Sequence, residues 1–187
     1  MKIYAIEQDF AYYELDLRTT DIEDYFPERY EIEDILEFSR KNISLKEFWP
    51  SIKTGFMDTG ENLKVPDISI WLDGVLLLSP AAKIYTNHFL EKSGEFLPII
   101  VDDEEWFLFN CLTEAPVNKD LTNNSSVTFQ AESFRGHDLF KSIANDMFGF
   151  YCTERFKALI DEYNLKGLSL ATEQHDYLTG EVTTLSV

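Results

Sequence analysis

The stretch MFGFYCTERFKALIDEYNLKGLSL, residues 147–170, decides how the rest of the chain is read. Phe148 to Cys152 is an apolar run of strand length, rich in aromatics. Thr153 follows with a hydroxyl that can accept from the free N–H groups of a helix start. Phe156, Leu159, Ile160 and Tyr163 then recur at the 3.6-residue period of an amphipathic helix. Asn164 to Gly167 carries residues that enter the left-handed conformation ending a helix, and Leu168-Ser169-Leu170 resumes an extended pattern. The expectation is strand, helix, strand.

The same grammar occurs upstream. Gly74 to Leu78 is an apolar strand, Ser79 the cap, and Pro80 the first helical residue, where its missing N–H costs nothing. Ala81 to Glu91 is the expected helix, Gly94 follows it, and Phe96 to Val101 is the next strand. Aligning Ser79 with Thr153 also aligns Lys83 with Lys157. The two units are either a diverged duplication or two ordinary strand-helix-strand units.

Working outward, 187 residues with 44% apolar content fit a single α+β domain, residues 1–187, with a mixed sheet and helices packed on it. Lys2 to Glu7 reads as a strand with apolar groups on both faces, hence one covered on each side. Phe10 to Leu15 is an aromatic stretch leading toward a second strand. Ser44-Leu45-Lys46-Glu47 matches a capping box for a short helix through Phe48 and Trp49, ended by Pro50. Residues 53–67 and Ala115 to Ser126 read as loops. Val127 to Ala131 and Asp138 to Phe140 read as strands, and Val182 to Leu185 has weak strand character within residues 172–187, either an edge strand or a frayed tail.

Thirty-four acidic against sixteen basic residues leave a net charge of −18. Such a field repels nucleic-acid phosphates and anionic lipid and speeds encounter with basic proteins or cations. Neither nucleic acid nor membrane is therefore expected as a partner. Between Asp21 and Glu37, eight acidic residues face only Arg29. Ile32, Ile35 and Leu36 give this tract helical spacing over residues 31–40, with Glu33, Asp34 and Glu37 on the outer face. Together with Asp21, Glu23 and Asp24, that face is either a solvated surface or a docking surface for a basic partner.

A second acidic cluster, Asp102, Asp103, Glu104 and Glu105, lies between two apolar runs and marks a hairpin turn. Its adjacent carboxylates lack the alternate spacing and glycine of a calcium loop. Trp106 beside it is a candidate contact anchor.

Catalytic signatures are missing from the sequence. No nucleophile elbow, phosphate-binding loop or dinucleotide fingerprint occurs. His88, His137 and His175 lie far apart, and none has metal-ligand spacing with another histidine or a cysteine. Cys111 and Cys152 sit in apolar runs, as two buried free thiols or as one disulfide. Cys152 also precedes a helix, where the dipole can activate a thiol, yet nothing around it forms a catalytic signature. No cofactor or metal is expected, and the chain is not expected to be an enzyme. No signal-peptide core opens the chain, and no apolar run reaches membrane-spanning length, so a cytoplasmic protein is expected.

From Phe134-Arg135 through Asp138-Leu139-Phe140 into FYCTERFKALIDEYNLKGLSL, the pattern resembles the C-terminal signature of a bacterial immunity-protein family of polymorphic toxin systems, one long catalogued as a domain of unknown function. Asp67, Val75 to Ser79 and Leu97-Pro98-Ile99 resemble that family's middle section, and YYELDL (residues 12–17) more loosely its start. The best-matching part spans residues 65–171. Here the arginine is followed by Gly136-His137, and the acidic tract has no counterpart in the family's motifs. The resemblance implies a non-enzymatic protein that binds and occludes a cognate toxin domain, which the charge suggests is basic. Asp21, Glu23, Asp24, Glu33, Asp34, Glu37, Asp102, Asp103, Glu104, Glu105 and Trp106 are the residues expected to meet it. The alternative is an acidic adaptor or small-ligand-binding domain without catalytic activity.

Overall fold

A computed structural model of the chain describes residues 2–117, 129, 136–144 and 147–171. In chain order the elements begin with β1 (Ile3–Gln8), a 3-10 segment (Thr19–Tyr25), α1 (Ile32–Leu36), β2 (Lys53–Thr54), β3 (Ile68–Leu72) and β4 (Val75–Leu78). They continue with α2 (Pro80–Leu90), β5 (Gly94–Val101), β6 (Glu104–Cys111), β7 (Leu139–Ala144), β8 (Met147–Thr153), α3 (Glu154–Glu162) and β9 (Leu168–Ala171).

Both strand-helix-strand units form where the caps place them. The Ser79 hydroxyl accepts from Ala82 N–H at 3.1 Å, and the Thr153 hydroxyl from Phe156 N–H at 3.4 Å. Thr153 also donates to the buried Asp138 carboxylate at 2.6 Å, tying the start of α3 to the entry of β7. Phe156, Leu159 and Ile160 face inward. Tyr163, the fourth residue of the expected stripe, is largely exposed and stacks on Tyr85 of α2 with ring centroids 4.0 Å apart. After α3, Asn164 and Gly167 take positive φ. Gly167 is also a close approach, because a Cβ there would run into the Ile68 carbonyl and the Pro66 ring.

The fold is α+β, with its strands divided between two sheets. One is antiparallel, in the order β7-β8-β1-β9, and the other has the order β2-β5-β6-β4-β3. Of the pairings between named strands among the described residues, only β2–β5 is parallel, which makes the second sheet mixed. In the second sheet, β4 and β5 flank β6 and run antiparallel to it. In the first, β8 and β9 flank β1 in the same way. Each helix thus crosses over one intervening antiparallel strand. The likeness extends beyond strand-helix-strand: hairpin, helix, outer strand and central strand recur in both sheets. The central strand is β6 in one and the N-terminal β1 in the other.

Strand alternation sorts the side chains into separate cores. Leu76, Leu78, Phe109 and Cys111 join Tyr4, Ile6, Leu139, Phe150, Cys152 and the inner faces of α2 and α3. On the opposite face of the mixed sheet, Val75, Leu77, Leu97, Ile99, Val101 and Leu108 are covered by Leu15, Leu17, Ile22, Phe38, Leu45 and Ile52. Ile3 and Phe140 turn to a third cluster with Ala115 and Phe129. The strand β1 is therefore covered on each side, as its composition implies.

The N-terminal cover departs from the sequence reading. The aromatic stretch at 10–15, expected to lead into a second strand, makes isolated bridges instead, Tyr12 with Lys64 and Leu15 with Phe56. The expected helix over 31–40 is confined to Ile32–Leu36, with only Ile35 of its apolar stripe buried. The capping-box helix at 44–49 does not form. Ser44 donates instead to the Glu95 carboxylate at 2.7 Å, which also accepts from Leu45 N–H at 2.7 Å and from the Asn110 amide at 2.9 Å. The long loop at 53–67 contains β2. Both cysteines are free and buried. Among the expected features, the Phe134-Arg135 turn, His175 and the Val182–Leu185 strand lie outside the described residues, as does the Val127–Ala131 strand apart from Phe129, which bridges to Val117.

The hairpin joining β5 and β6 has the expected place and a tighter turn. Asp102 and Asp103 both take positive φ, 50° and 66°, while Glu104 and Glu105 already pair with Val101 and Ile100. Two left-handed residues are the requirement of a type I′ turn, which aspartate tolerates less well than glycine. Asp103→Gly is expected to raise stability by about 1 kcal/mol in urea unfolding. The central place of β1 gives a stronger test. Burying Ile3, Tyr4 and Ile6 contributes about 2 kcal/mol each, a sum comparable with the whole stability of a domain. A chain starting at Asp9 should lose its cooperative urea transition, and a wild-type midpoint would refute the role given to β1.

Candidate partner-binding groove

Three separate stretches of chain meet beside β3. Gln8 ends β1 and turns its side-chain carbonyl onto the β3 edge, accepting from Ile70 N–H at 3.0 Å. Trp71 is fixed by its indole N–H, which donates to the Leu17 carbonyl at 2.6 Å, and its ring lies 6.1 Å from that of the fully buried Phe38. The chain leaving α1 is fastened to the β3–β4 turn: Ser39 donates to the Asp73 carbonyl at 2.6 Å, and Arg40 pairs with the Asp73 carboxylate at 2.5 Å. Lys141, on β7 and only 2% exposed, donates from below to the Ser39 carbonyl. Gly74 makes room for the lysine stem, since a Cβ there would collide with it.

These fasteners leave a groove of about 610 Å³ between α1 and β3. Ile70, Trp71, Leu72, Phe10 and Leu36 give it apolar walls, and Glu14, Glu37 and Asp73 give it carboxylates. Phe10 is 77% exposed and Leu36 49% exposed, a notable cost in water for two apolar side chains that line one groove. Arg40 is the one cation in the lining among the described residues, and it is already paired with Asp73. The side-chain N–H₂ of Gln8, also in the lining, is buried without a hydrogen-bond partner.

The structure scatters the expected contact residues. Glu33 and Asp34 converge on Lys41, at 3.5 and 2.7 Å. Asp34 also accepts from Glu31 N–H at 3.2 Å, closing the first turn of α1. Asp21 pairs with Arg18 at 2.8 Å and accepts from its N–H, closing the 3-10 segment. The Arg18 guanidinium holds the Asp21 carboxyl below the ordinary range, and the Lys41 ammonium does the same for Asp34. Part of the acidic tract therefore shapes local turns. Glu23 and Asp24 remain exposed, and Glu37 lines the groove. The 102–105 turn is exposed too, but it abuts Thr54, whose carbonyl accepts from Asp102 N–H at 3.1 Å.

Trp106 requires a correction. It is 4% exposed and packs edge-on against Phe56, so it is a core side chain and cannot serve as a surface anchor in this conformation. The alternation of β6 sends it inward, next to exposed Glu105. Sequence reasoning missed Gln8, Phe10, Glu14, Arg40, Trp71 and Asp73 as neighbours, because no spacing within one segment relates them.

Neither thiol is placed for nucleophilic chemistry. Burial pushes the Cys111 thiol up to about 11 and raises that of Cys152 as well. His137 lies 3.2 Å from both the Ser93 and Thr113 hydroxyls, with Ser93 buried. Among the described residues, no three His, Cys, Asp or Glu side chains form a group that could hold a metal ion. No helix among them is long and apolar enough to cross a membrane.

Lys141 makes the site's support sensitive to pH. Burial lowers its amine from the ordinary 10.5 to about 8, against weaker opposing fields from Cys111 and Glu114. Between those values Lys141 binds more proton in the unfolded chain than in the folded one, so its own contribution to stability rises with pH across the window, against the opposite contribution of the two buried thiols above about pH 9. The full rise is at most about 3 kcal/mol. Between pH 7.5 and 10 the urea midpoint of Lys141→Met should change less favourably than that of the wild type, by the loss of the lysine's upward contribution; parallel curves for the two proteins would contradict this account.

No protein-family model matches the chain, and no curated protein matches it.

Proposed function

We propose that this chain is an immunity protein that acts in the cytoplasm by binding a basic toxin domain and occluding it. The observation that carries the reading is the open groove with exposed Phe10 and Leu36 and acidic walls, in a protein of net charge −18. Apolar area of this kind supplies retention, and the surrounding negative field supplies fast encounter and rejection of acidic partners. The resemblance of residues 65–171 to an immunity-protein family of polymorphic toxin systems supports the same reading. A basic toxin domain, such as a nuclease that must hold phosphates, is the complementary partner.

Co-expression with the toxin domain encoded beside this chain should restore growth, and the two should co-purify as a complex. Failure of the wild-type chain to protect would overturn the reading. In stopped-flow mixing, raising salt from 50 to 300 mM should slow association about tenfold, with a smaller change in dissociation. Replacing exposed Glu23 by Gln should slow association more than Asp21→Asn, since the Asp21 side chain is already matched by Arg18. Equal effects would show that local pairing does not govern the field the partner meets.

A further inference from the structure

We infer that the groove between α1 and β3 is a receptor for an arginine-bearing segment of the protein partner, an inference that rests on the toxin-neutralising reading for the partner's identity. Two observations in the lining converge on that occupant. Glu14 and Glu37 are carboxylates that pair with no cation among the described residues, while Arg40 is committed to Asp73. Phe10 and Leu36 are apolar side chains left in water at the rim.

Arginine fits this combination better than lysine. Its planar guanidinium can lie on an aromatic face while donating to carboxylates in a fork, whereas an ammonium is more strongly hydrated and makes no such stack. The Arg40 side chain shows the same behaviour inside the protein, paired with Asp73 and lying 5.3 Å from the Phe148 ring centroid. A groove of about 610 Å³ has the size of a site that encloses several groups at once. A segment carrying an apolar residue beside its arginine would cover Leu36 as well.

The test uses the full chain and a capped hexapeptide alternating arginine and valine, with lysine and glutamate analogues, followed by calorimetry and by tryptophan emission. The arginine peptide should bind, the glutamate peptide should not, and the lysine peptide should be weaker by about fivefold. Glu14→Gln with Glu37→Gln should weaken arginine-peptide binding about tenfold or more, whereas Glu104→Gln with Glu105→Gln should change it less than about twofold. Glu14→Gln alone, at an exposed position, provides a second variant that leaves the α1 exit untouched. Equal losses in the two double variants would mean diffuse attraction and overturn the inference, as would absence of binding or equal affinity for the lysine peptide. If the groove variants protect cells as well as wild type, the groove assignment fails while toxin neutralisation stands. If wild type gives no protection yet the peptide still binds through Glu14 and Glu37, the groove stands and toxin neutralisation fails.

Discussion

The insertion of β1 between β8 and β9 is the constraint on which the architecture depends. Remove it and the two strands joined through α3 face each other across a gap, with backbone donors and acceptors unpaired on both sides. Its side chains also link two cores, since Tyr4 and Ile6 enter the layer shared with α2 and α3 while Ile3 packs against Phe140 on the other face. At its C-terminal end, Gln8 reaches the edge of β3 and joins the sheets by a side-chain hydrogen bond. That same residue lines the groove. The strand that completes one sheet therefore helps to build the concave surface beside the other.

The second organising theme is polar fastening of an irregular cover. Residues 9–56 contain little regular structure, so few of their backbone groups can be satisfied by ladders. Buried side chains do that work. Glu95 and Asn110, on the covered face of the mixed sheet, hold the backbone of Ile43 and Leu45. Ser39, Arg40 and Lys141 tie the exit of α1 to the β3–β4 turn and to β7. Each fastener fixes where the cover sits, and each depends on partners far away in the chain. A charged amine under a loop is an expensive support, because desolvation opposes its ionisation. It nonetheless places a donor where a carbonyl would otherwise be buried alone.

The legible parts of the chain were those governed by neighbours in sequence. Ser79 and Thr153 announce their helices because a cap is a contact over three residues, and Pro80 and Gly167 punctuate the same units for steric reasons. The hairpin at 102–103 was visible from its flanking apolar runs. What escaped was set by distant competitors. Ser44 has the local partner of a capping box, yet Glu95, fifty-one positions on, takes its hydroxyl. Ile32 and Leu36 have the spacing of a buried stripe, but Phe38 fills the core below and leaves them in solvent. Trp106 looked exposed because it adjoins four acids, although strand alternation turns it inward. The acidic tract was plain as charge, while the division between turn-closing Asp21 and Asp34 and outward-facing Glu23 and Asp24 required three-dimensional neighbours. The groove combines residues from three stretches, and no periodicity could have assembled it.

The borrowed central strand has a consequence for synthesis. Gln8 pairs with Leu168, so the first strand made must wait for nearly the last described one before its sheet can close. At ordinary elongation speeds of about 5–20 residues per second, the interval is about 10–30 s. The mixed sheet has its own central strand and can zip up while the ribosome is still working, but β1 spends that time as an apolar ribbon near the tunnel mouth. Through the synthesis of residues 9–168 that strand therefore keeps its backbone donors and acceptors open to other partners.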